Sequence, residues 1–210
     1  MYNLKNMAED KLIKLNISSE NPEEIIRIGG ELLFRNNMVT DSYVQAMVEA
    51  YRELGSYIVI APNIAMPHTS KENGALKTGV SLLTLSKPVN FGNEYNDPVF
   101  LVFCIANAGE HEELLAILES IVKIGSDDTI KNQMRNADTI EEIEKIINKK
   151  EVDKLEEFDR GQFMNLQSKL VLSLQGYDDE QIDTMFTEEV DSAEKKVQAL
   201  KNEKSTTTTN

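Results

Sequence analysis

The fold class depends first on a run of seven uncharged residues, VFLVFCI at 99–105. Two similar runs precede it, YIVI at 57–60 and VSLLTL at 80–85. All three are short, rich in Val, Ile, Leu and Phe, and bounded by Pro, Gly or Asn, which favours buried strands over helices. We therefore expect these runs to be strands of one sheet.

Helical periodicity surrounds these runs. Before them, Asn21 and Pro22 are typical of a helix start, and a second helix is predicted at 41–54, ending at Gly55. After them, apolar residues return at helical spacing in three segments, at 110–125, 127–135 and 139–148. The order of helices, strands and helices predicts an α/β fold in which a small mixed sheet is covered by helices.

The composition changes near residue 150. Residues 1–150 carry 15 Lys and Arg against 22 Asp and Glu and contain all five prolines, whereas residues 151–210 carry 7 against 14 and no proline. Helical spacing dominates the second part, which ends in a low-complexity segment with four consecutive threonines. We therefore predict a domain at 1–149, an acidic helical extension at 150–204 and a disordered tail at 205–210.

Charge and hydropathy exclude several classes of function. The net charge is −14 and no cluster of five Lys or Arg occurs, so neither nucleic acid nor an anionic membrane surface is expected as a partner. No apolar stretch approaches the roughly 20 residues of a membrane span, and the first residues lack a signal-peptide pattern. We expect a cytoplasmic protein without membrane insertion. The single cysteine, Cys104, lies in the run at 99–105, where a packed core thiol is expected.

The glycine motifs that hold nucleotides are missing. None of the ten glycines builds a GxxxxGK phosphate loop or a GxGxxG dinucleotide turn, so we expect no cofactor, and an ATP-dependent kinase fits poorly. A metal site is an alternative. It would use the two histidines, His68 and His111, and would need carboxylates such as Glu110, Glu112 or Glu113 as further ligands.

The segment NIAMPHTS, at 63–70, carries the strongest candidate for chemistry, His68. Pro67 bars a regular helix, so we expect an extended segment that turns out of the core and leaves the His68 ring exposed at an edge of the sheet. A neutral imidazole is a nucleophile and can take a phosphoryl group covalently. A hydrogen bond to the other ring nitrogen would select the attacking atom, and Thr69 and Ser70 could donate to the phosphoryl oxygens.

Both histidines also have simpler interpretations. A solitary histidine after proline is more often a loop residue than a catalyst. His111 lies at the predicted start of a helix, where backbone N–H groups and the helix dipole favour anions. It would steady a phosphoryl group on His68 if the fold brings the two together; otherwise it is a helix-start residue among solvated glutamates.

Four segments together resemble a known family, the enzyme IIA domains of the bacterial sugar phosphotransferase system in the fructose/mannitol superfamily. They are RELGSYIVIAPNIAMPH at 52–68, VSLLTL at 80–85, PVNFG at 88–92 and GEHEELL at 109–115. The similarity covers about residues 8–148. Its most specific part is the run that ends in Met-Pro-His, which is closest to the ascorbate-type branch.

The resemblance implies a mixed five-stranded sheet with flanking helices and a cytoplasmic phosphocarrier. By this likeness His68 accepts a phosphoryl group from the phosphocarrier protein HPr and passes it to a cysteine of a cognate enzyme IIB, and His111 is the second active-site histidine. Arg52 matches the arginine of an arginine-glutamate pair and would balance phosphoryl charge; alternatively it forms a surface salt bridge on the second helix. Many members continue Pro-His-Ala or Pro-His-Gly, where this chain has Thr69 and Ser70.

These observations lead to one principal hypothesis and one alternative. The principal hypothesis is a phosphotransferase component that uses a phosphohistidine at His68 and no nucleotide during carbohydrate uptake. The alternative is a regulatory module that senses phosphorylation and acts on a partner protein through the extension at 150–204. The transported sugar cannot be deduced, because a carrier domain handles only the phosphoryl group.

Overall fold

The computed structural model describes residues 4–9, 11–109 and 111–148, without the side chains of Glu9 and His111. The chain divides into two units, Met1–Phe163 and Met164–Asn210, and all described residues belong to the first. The extension predicted at 150–204 and the tail predicted at 205–210 lie outside the described residues, so these boundaries stay predictions.

Helices occupy both ends of the described chain and the segments between the strands. The α-helices are α1 (Asn6–Glu9), α2 (Pro22–Arg35), α3 (Asp41–Leu54), α4 (His111–Gly125), α5 (Asp128–Arg135) and α6 (Ile140–Asn148). Two short 3-10 helices lie at Gly55–Ile58 and Lys71–Asn73. No helix in the described part of the chain has the length and apolar character needed to cross a membrane.

Five strands form one mixed sheet in the order β1-β4-β5-β3-β2. The strands are β1 (Ile13–Ile17), β2 (Val59–Ala61), β3 (Ile64–Ala65), β4 (Gly79–Val89) and β5 (Val99–Ala106). The central pair, β4 and β5, is antiparallel, with Ser81 opposite Cys104. β1 is parallel to β4, β3 is parallel to β5, and β2 is antiparallel to β3.

The boundaries of α2 and α3 follow local signals. The Asn21 side-chain oxygen accepts a hydrogen bond from the Glu23 backbone N–H at 3.0 Å, and Pro22 occupies the first helical position, where its missing N–H costs nothing. α3 ends at Gly55, whose φ of 68° lies in the left-handed region that favours glycine. The predicted start of the first helix and the predicted end of the second are confirmed.

Part of the core lies between the sheet and α2. All eight residues of β5 are buried, as expected for a strand covered on both faces. Gly29 lets α2 approach this strand, because a Cβ atom at that position would overlap the Sγ atom of Cys104. The Ser81 hydroxyl donates to the Gly29 carbonyl oxygen at 2.8 Å, so the helix and the sheet are also joined by a buried hydrogen bond.

The α/β prediction of a mixed, five-stranded sheet flanked by helices is confirmed. The prediction of a strand at 57–60 was wrong in part, because Gly55–Ile58 forms a 3-10 helix and the strand occupies only Val59–Ala61. β1 and β3 were not predicted. β3 has only two residues and is defined by its pairing with β5 and β2, which the local sequence does not show.

Candidate functional site

His68 follows β3 on a segment held from both sides by backbone hydrogen bonds. The Met66 N–H donates to the Ile58 carbonyl oxygen at 2.7 Å, and the Ile105 N–H donates to the Pro67 carbonyl oxygen at 2.9 Å. The segment therefore lies between the 3-10 helix before β2 and the end of β5. This placement makes the position of His68 a property of the sheet rather than of a flexible loop.

The imidazole of His68 has a defined tautomer. Its Nδ1 atom lies 2.8 Å from the Met66 carbonyl oxygen. A carbonyl oxygen only accepts, so Nδ1 carries the proton and, in the neutral ring, the lone pair is on Nε2. Burial lowers the pKa of His68, and the hydrogen bond to Met66 opposes this effect. The arrangement stabilises a neutral ring with Nε2 as the basic and nucleophilic atom.

The prediction that the His68 ring is exposed was wrong, because only 3% of the residue is accessible. Pro67 constrains only the local backbone, whereas burial of the ring depends on contacts with distant segments. The ring of Tyr57 packs edge-on against the imidazole, with centroids 5.5 Å apart and planes at 73°. The Tyr57 hydroxyl also donates to the His68 carbonyl oxygen at 3.2 Å, so this residue holds both the ring and the backbone of His68.

Thr69 and Ser70, predicted as hydrogen-bond donors to phosphoryl oxygens, make hydrogen bonds with other residues of the protein. The Tyr43 hydroxyl lies 3.0 Å from the Thr69 carbonyl oxygen and 2.9 Å from the Ile105 carbonyl oxygen. The Asn73 amide donates to the Thr69 hydroxyl oxygen at 2.9 Å, and the Ser70 hydroxyl donates to the Glu72 carboxylate. Tyr43 therefore fastens α3 to the segment directly after His68 and to the end of β5.

His111 is the first residue of α4, as the sequence predicted for a helix start. Its side chain lies outside the described part of the structure, so its proximity to His68 stays a prediction. The loop before it is held by a buried hydroxyl, because the Ala108 N–H donates to Thr78 Oγ1 at 3.0 Å. Gly109 has a φ of 111°, which allows the turn into the helix. The backbone around position 111 is thereby tied to the sheet.

Arg52 lies in the last turn of α3 and forms a paired interaction with Glu23 of α2. Its Nε atom donates to Glu23 Oε1 at 3.0 Å, and one terminal nitrogen donates to Oε2 at 2.6 Å. The Arg52 side chain is 54% exposed, so this is the surface salt bridge that the sequence left open as an alternative. The hydrogen bond from Arg52 lowers the pKa of Glu23.

Cys104 is a core residue, as predicted. It is fully buried in β5, and burial raises the pKa of its thiol to about 12. Among the described side chains, which do not include those of Glu9 and His111, no three of His, Cys, Asp or Glu are grouped so that they could hold a metal ion.

Tyr57 and Tyr43 were not predicted to be part of the site. Tyr57 lies in the run at 57–60 that predicted a strand, and Tyr43 lies in the helix predicted at 41–54. One signal was available, since a tyrosine in an apolar segment needs a hydrogen-bond partner for its hydroxyl. The partner of the Tyr57 hydroxyl is the carbonyl oxygen of His68 itself, and a partner of the Tyr43 hydroxyl is the carbonyl oxygen of the next residue, Thr69. Both carbonyls are distant in sequence from the tyrosines that bind them.

The fold is that of solved phosphotransferase IIA proteins. The mannitol-specific cryptic phosphotransferase enzyme IIA CmtB of Escherichia coli superposes with a TM-score of 0.57 at 27% identity, covering 66% of this chain and 92% of that protein. The IIA component of the Escherichia coli complex of enzyme IIAMtl and phosphorylated enzyme IIBMtl gives a TM-score of 0.55 at 27% identity, covering 70% and 96%.

Sequence similarity defines the family more closely. The profile of the phosphoenolpyruvate-dependent sugar phosphotransferase system, EIIA 2, matches residues 6–150. The ascorbate-specific PTS system EIIA component of Escherichia coli K12 is 37% identical over 145 residues, which are 68% of this chain and 93% of that protein. The chain therefore belongs to the EIIA 2 family of the sugar phosphotransferase system.

Proposed function

We propose that the protein is a phosphocarrier in which His68 accepts a phosphoryl group from HPr and passes it to a cysteine of a cognate enzyme IIB during carbohydrate uptake. The observation that carries this proposal is the hydrogen bond between His68 Nδ1 and the Met66 carbonyl oxygen, because it leaves the lone pair of the neutral ring on Nε2. Family membership supports the same role.

The chemistry needs few groups. The Nε2 lone pair attacks the phosphorus of the phosphorylated donor, a P–N bond forms at His68, and the donor keeps the electron pair of the bond that breaks. In the second transfer the thiolate of enzyme IIB attacks the phosphorus, an S–P bond forms, and Nε2 keeps the electron pair of the P–N bond that breaks. A lowered His68 pKa keeps the attacking nitrogen unprotonated at neutral pH. Nucleotide takes no part, since the phosphoryl group arrives on a protein.

Burial of the ring adds a requirement. His68 is 3% exposed, so Nε2 must be uncovered when a donor docks. Burial keeps the ring uncharged between encounters. We infer that both partners meet this histidine in the cytoplasm. The acidic chain, with a net charge of −14, suits basic partner faces, where opposite charge accelerates encounter.

His111 is proposed as the second histidine of the site, steadying the phosphoryl group from the start of α4. Its position at the helix N-terminus supports this role, because backbone N–H groups there favour an anion. His111→Ala should slow transfer while leaving His68 able to accept the label. Transfer at the unchanged rate in this variant would remove His111 from the site.

Arg52 is proposed to balance phosphoryl charge, and its pairing with Glu23 allows a discriminating test. If Arg52 serves the phosphoryl group, Arg52→Ala slows transfer and Glu23→Ala does not. If it serves only the ion pair between α2 and α3, both variants leave the transfer rate unchanged and share one effect on stability.

The assignment of His68 is tested by labelling the full chain with phosphoenolpyruvate, enzyme I and HPr. Peptide mapping by mass spectrometry should place one acid-labile, base-stable phosphoryl group on His68. His68→Ala should take no label while keeping the circular dichroism spectrum of the parent. Continued labelling of His68→Ala at the parent rate would overturn the proposal.

A further inference from the structure

We propose that Tyr57 is a positioning residue that holds the His68 imidazole in the orientation from which Nε2 reacts. The inference rests on the proposed function of His68. It adds Tyr57 to the candidate site, although the sequence pattern predicted only a strand at this position.

Tyr57 makes two different contacts with the same residue. Its hydroxyl donates to the His68 carbonyl oxygen at 3.2 Å, which fixes the backbone from which the imidazole projects. Its ring meets the imidazole edge-on, with centroids 5.5 Å apart. A further constraint, between Nδ1 and the Met66 carbonyl oxygen, also acts on the imidazole. Rotation of the His68 side chain would break the ring contact and the Nδ1 hydrogen bond together.

Tyr57 is itself well anchored. It lies in the 3-10 helix Gly55–Ile58, and the last residue of this helix accepts the Met66 N–H at 2.7 Å. The helix that carries Tyr57 is therefore bonded to the segment that carries His68. Tyr57 is partly exposed, whereas His68 is 3% exposed, so the phenol ring contributes to covering the imidazole.

The expected consequence is a loss of rate rather than of affinity. A reacting atom displaced by about 1 Å can slow a reaction by about 100-fold, because the reacting geometry is reached less often. Tyr57 acts through His68, so its removal should lower kcat for transfer from HPr and leave KM for HPr nearly unchanged.

Tyr51 supplies a matched control. Its hydroxyl donates to the Phe91 carbonyl oxygen at 2.9 Å, and its ring meets Phe91 edge-on, with centroids 5.9 Å apart and planes at 67°. The interaction has the same form as that of Tyr57 with His68, but its partner is a phenylalanine. Variants at Tyr51 therefore report the structural cost of losing such a contact.

The experiment compares Tyr57→Phe and Tyr57→Ala with Tyr51→Phe and Tyr51→Ala in the full chain. Nitrogen-15 NMR of the histidine rings at pH 8 gives the tautomer of His68 without any phosphoryl donor. Steady-state transfer from phosphorylated HPr gives kcat and KM. Tyr57→Leu replaces Tyr57→Ala if circular dichroism shows that the alanine variant is unfolded.

Tyr57→Ala should introduce the second tautomer and lower kcat by about 10- to 100-fold, with KM within about threefold. Tyr57→Phe keeps the ring and should retain the Nδ1–H tautomer and most of the rate. Both Tyr51 variants should retain the Nδ1–H tautomer and most of the rate. A single Nδ1–H tautomer in Tyr57→Ala, or a raised KM at unchanged kcat, would overturn the inference. Labelling that bypasses His68 would instead overturn the proposed function, and the tautomer measurement would still decide the role of Tyr57.

Discussion

Acidification should destabilise the protein through His68. The ring is buried, and burial lowers its pKa from the ordinary value of 6.5. In the unfolded chain the same ring becomes protonated as the pH falls through about 6.5. Between the folded and unfolded pKa values the unfolded state therefore binds a proton that the folded state does not. The free energy of unfolding contributed by His68 is complete above pH 6.5 and is lost as the pH falls below it.

The size of the effect follows from one proton. The unfolding free energy should fall by at most about 1.4 kcal/mol per pH unit, so the loss at pH 5.5 relative to pH 8 should be at most about 1.4 kcal/mol. The carboxylates with lowered pKa, Glu23, Glu72 and Asp128, have ordinary values of 4.5, 4.5 and 3.8. Their contributions are lost only below those values, so the interval from pH 5.5 to 8 isolates the histidines.

Urea unfolding followed by circular dichroism measures the effect. The reference variant is His68→Asn, whose side-chain amide can donate to the Met66 carbonyl oxygen but does not titrate in this interval. Both chains carry His111→Asn, since the protein has only two histidines. The chain with His68 should lose more stability between pH 8 and 5.5 than the asparagine variant. Parallel stability curves would show that the folded ring ionises as freely as the unfolded one, and the argument for a neutral buried imidazole would fail.

Three further predictions concern the packing around the site. Gly29→Ala should destabilise the protein by about 1–3 kcal/mol in urea unfolding, because the added methyl group overlaps the thiol of Cys104. Cys104→Ala in the same chain should recover part of this loss. If the stability effects of the two substitutions simply add, the overlap is contradicted. Lys131→Met should cost about 1–3 kcal/mol, because Lys131 is 3% exposed and its ammonium contacts both the Pro62 carbonyl oxygen at 3.2 Å and the Asp128 carboxylate at 2.8 Å. An unchanged urea midpoint would show that these two contacts do not stabilise the fold. Cys104 should resist iodoacetamide at pH 8 until urea unfolds the chain, since burial raises the pKa of its thiol to about 12; native labelling at the unfolded rate would refute this.

Elements with local signals were predictable from the sequence. Asn21 and Pro22 define the start of α2 through contacts within a few residues, and Gly55 defines the end of α3 through its positive φ. The apolar run of β5 identified a strand buried on both faces. In contrast, β1 exposes Lys14, contains a register shift and is recognisable only through its pairing with β4.

In the candidate site, too, the features with local signals were predictable and those set by distant contacts were not. The Met-Pro-His segment identified His68, and chemistry predicted that one ring nitrogen would be held by a hydrogen bond. The Met66 carbonyl oxygen makes that bond from two residues away. Exposure could not be deduced in this way, because Tyr57 and Ile105 hold the segment across 11 and 38 residues of sequence. The partner of Arg52, 29 residues upstream, was likewise set by the packing of α3 on α2.

The proposed role of His68 requires that the hydrogen bond from its Nδ1 atom to the Met66 carbonyl oxygen directs chemistry to Nε2. The most direct test is phosphorus-31 and nitrogen-15 NMR of the intact protein, labelled with phosphoenolpyruvate, enzyme I and HPr. Coupling of phosphorus to Nε2 of His68, with the proton retained on Nδ1, is the result expected. A phosphoryl group on Nδ1 of His68, or on any other residue, would contradict the account.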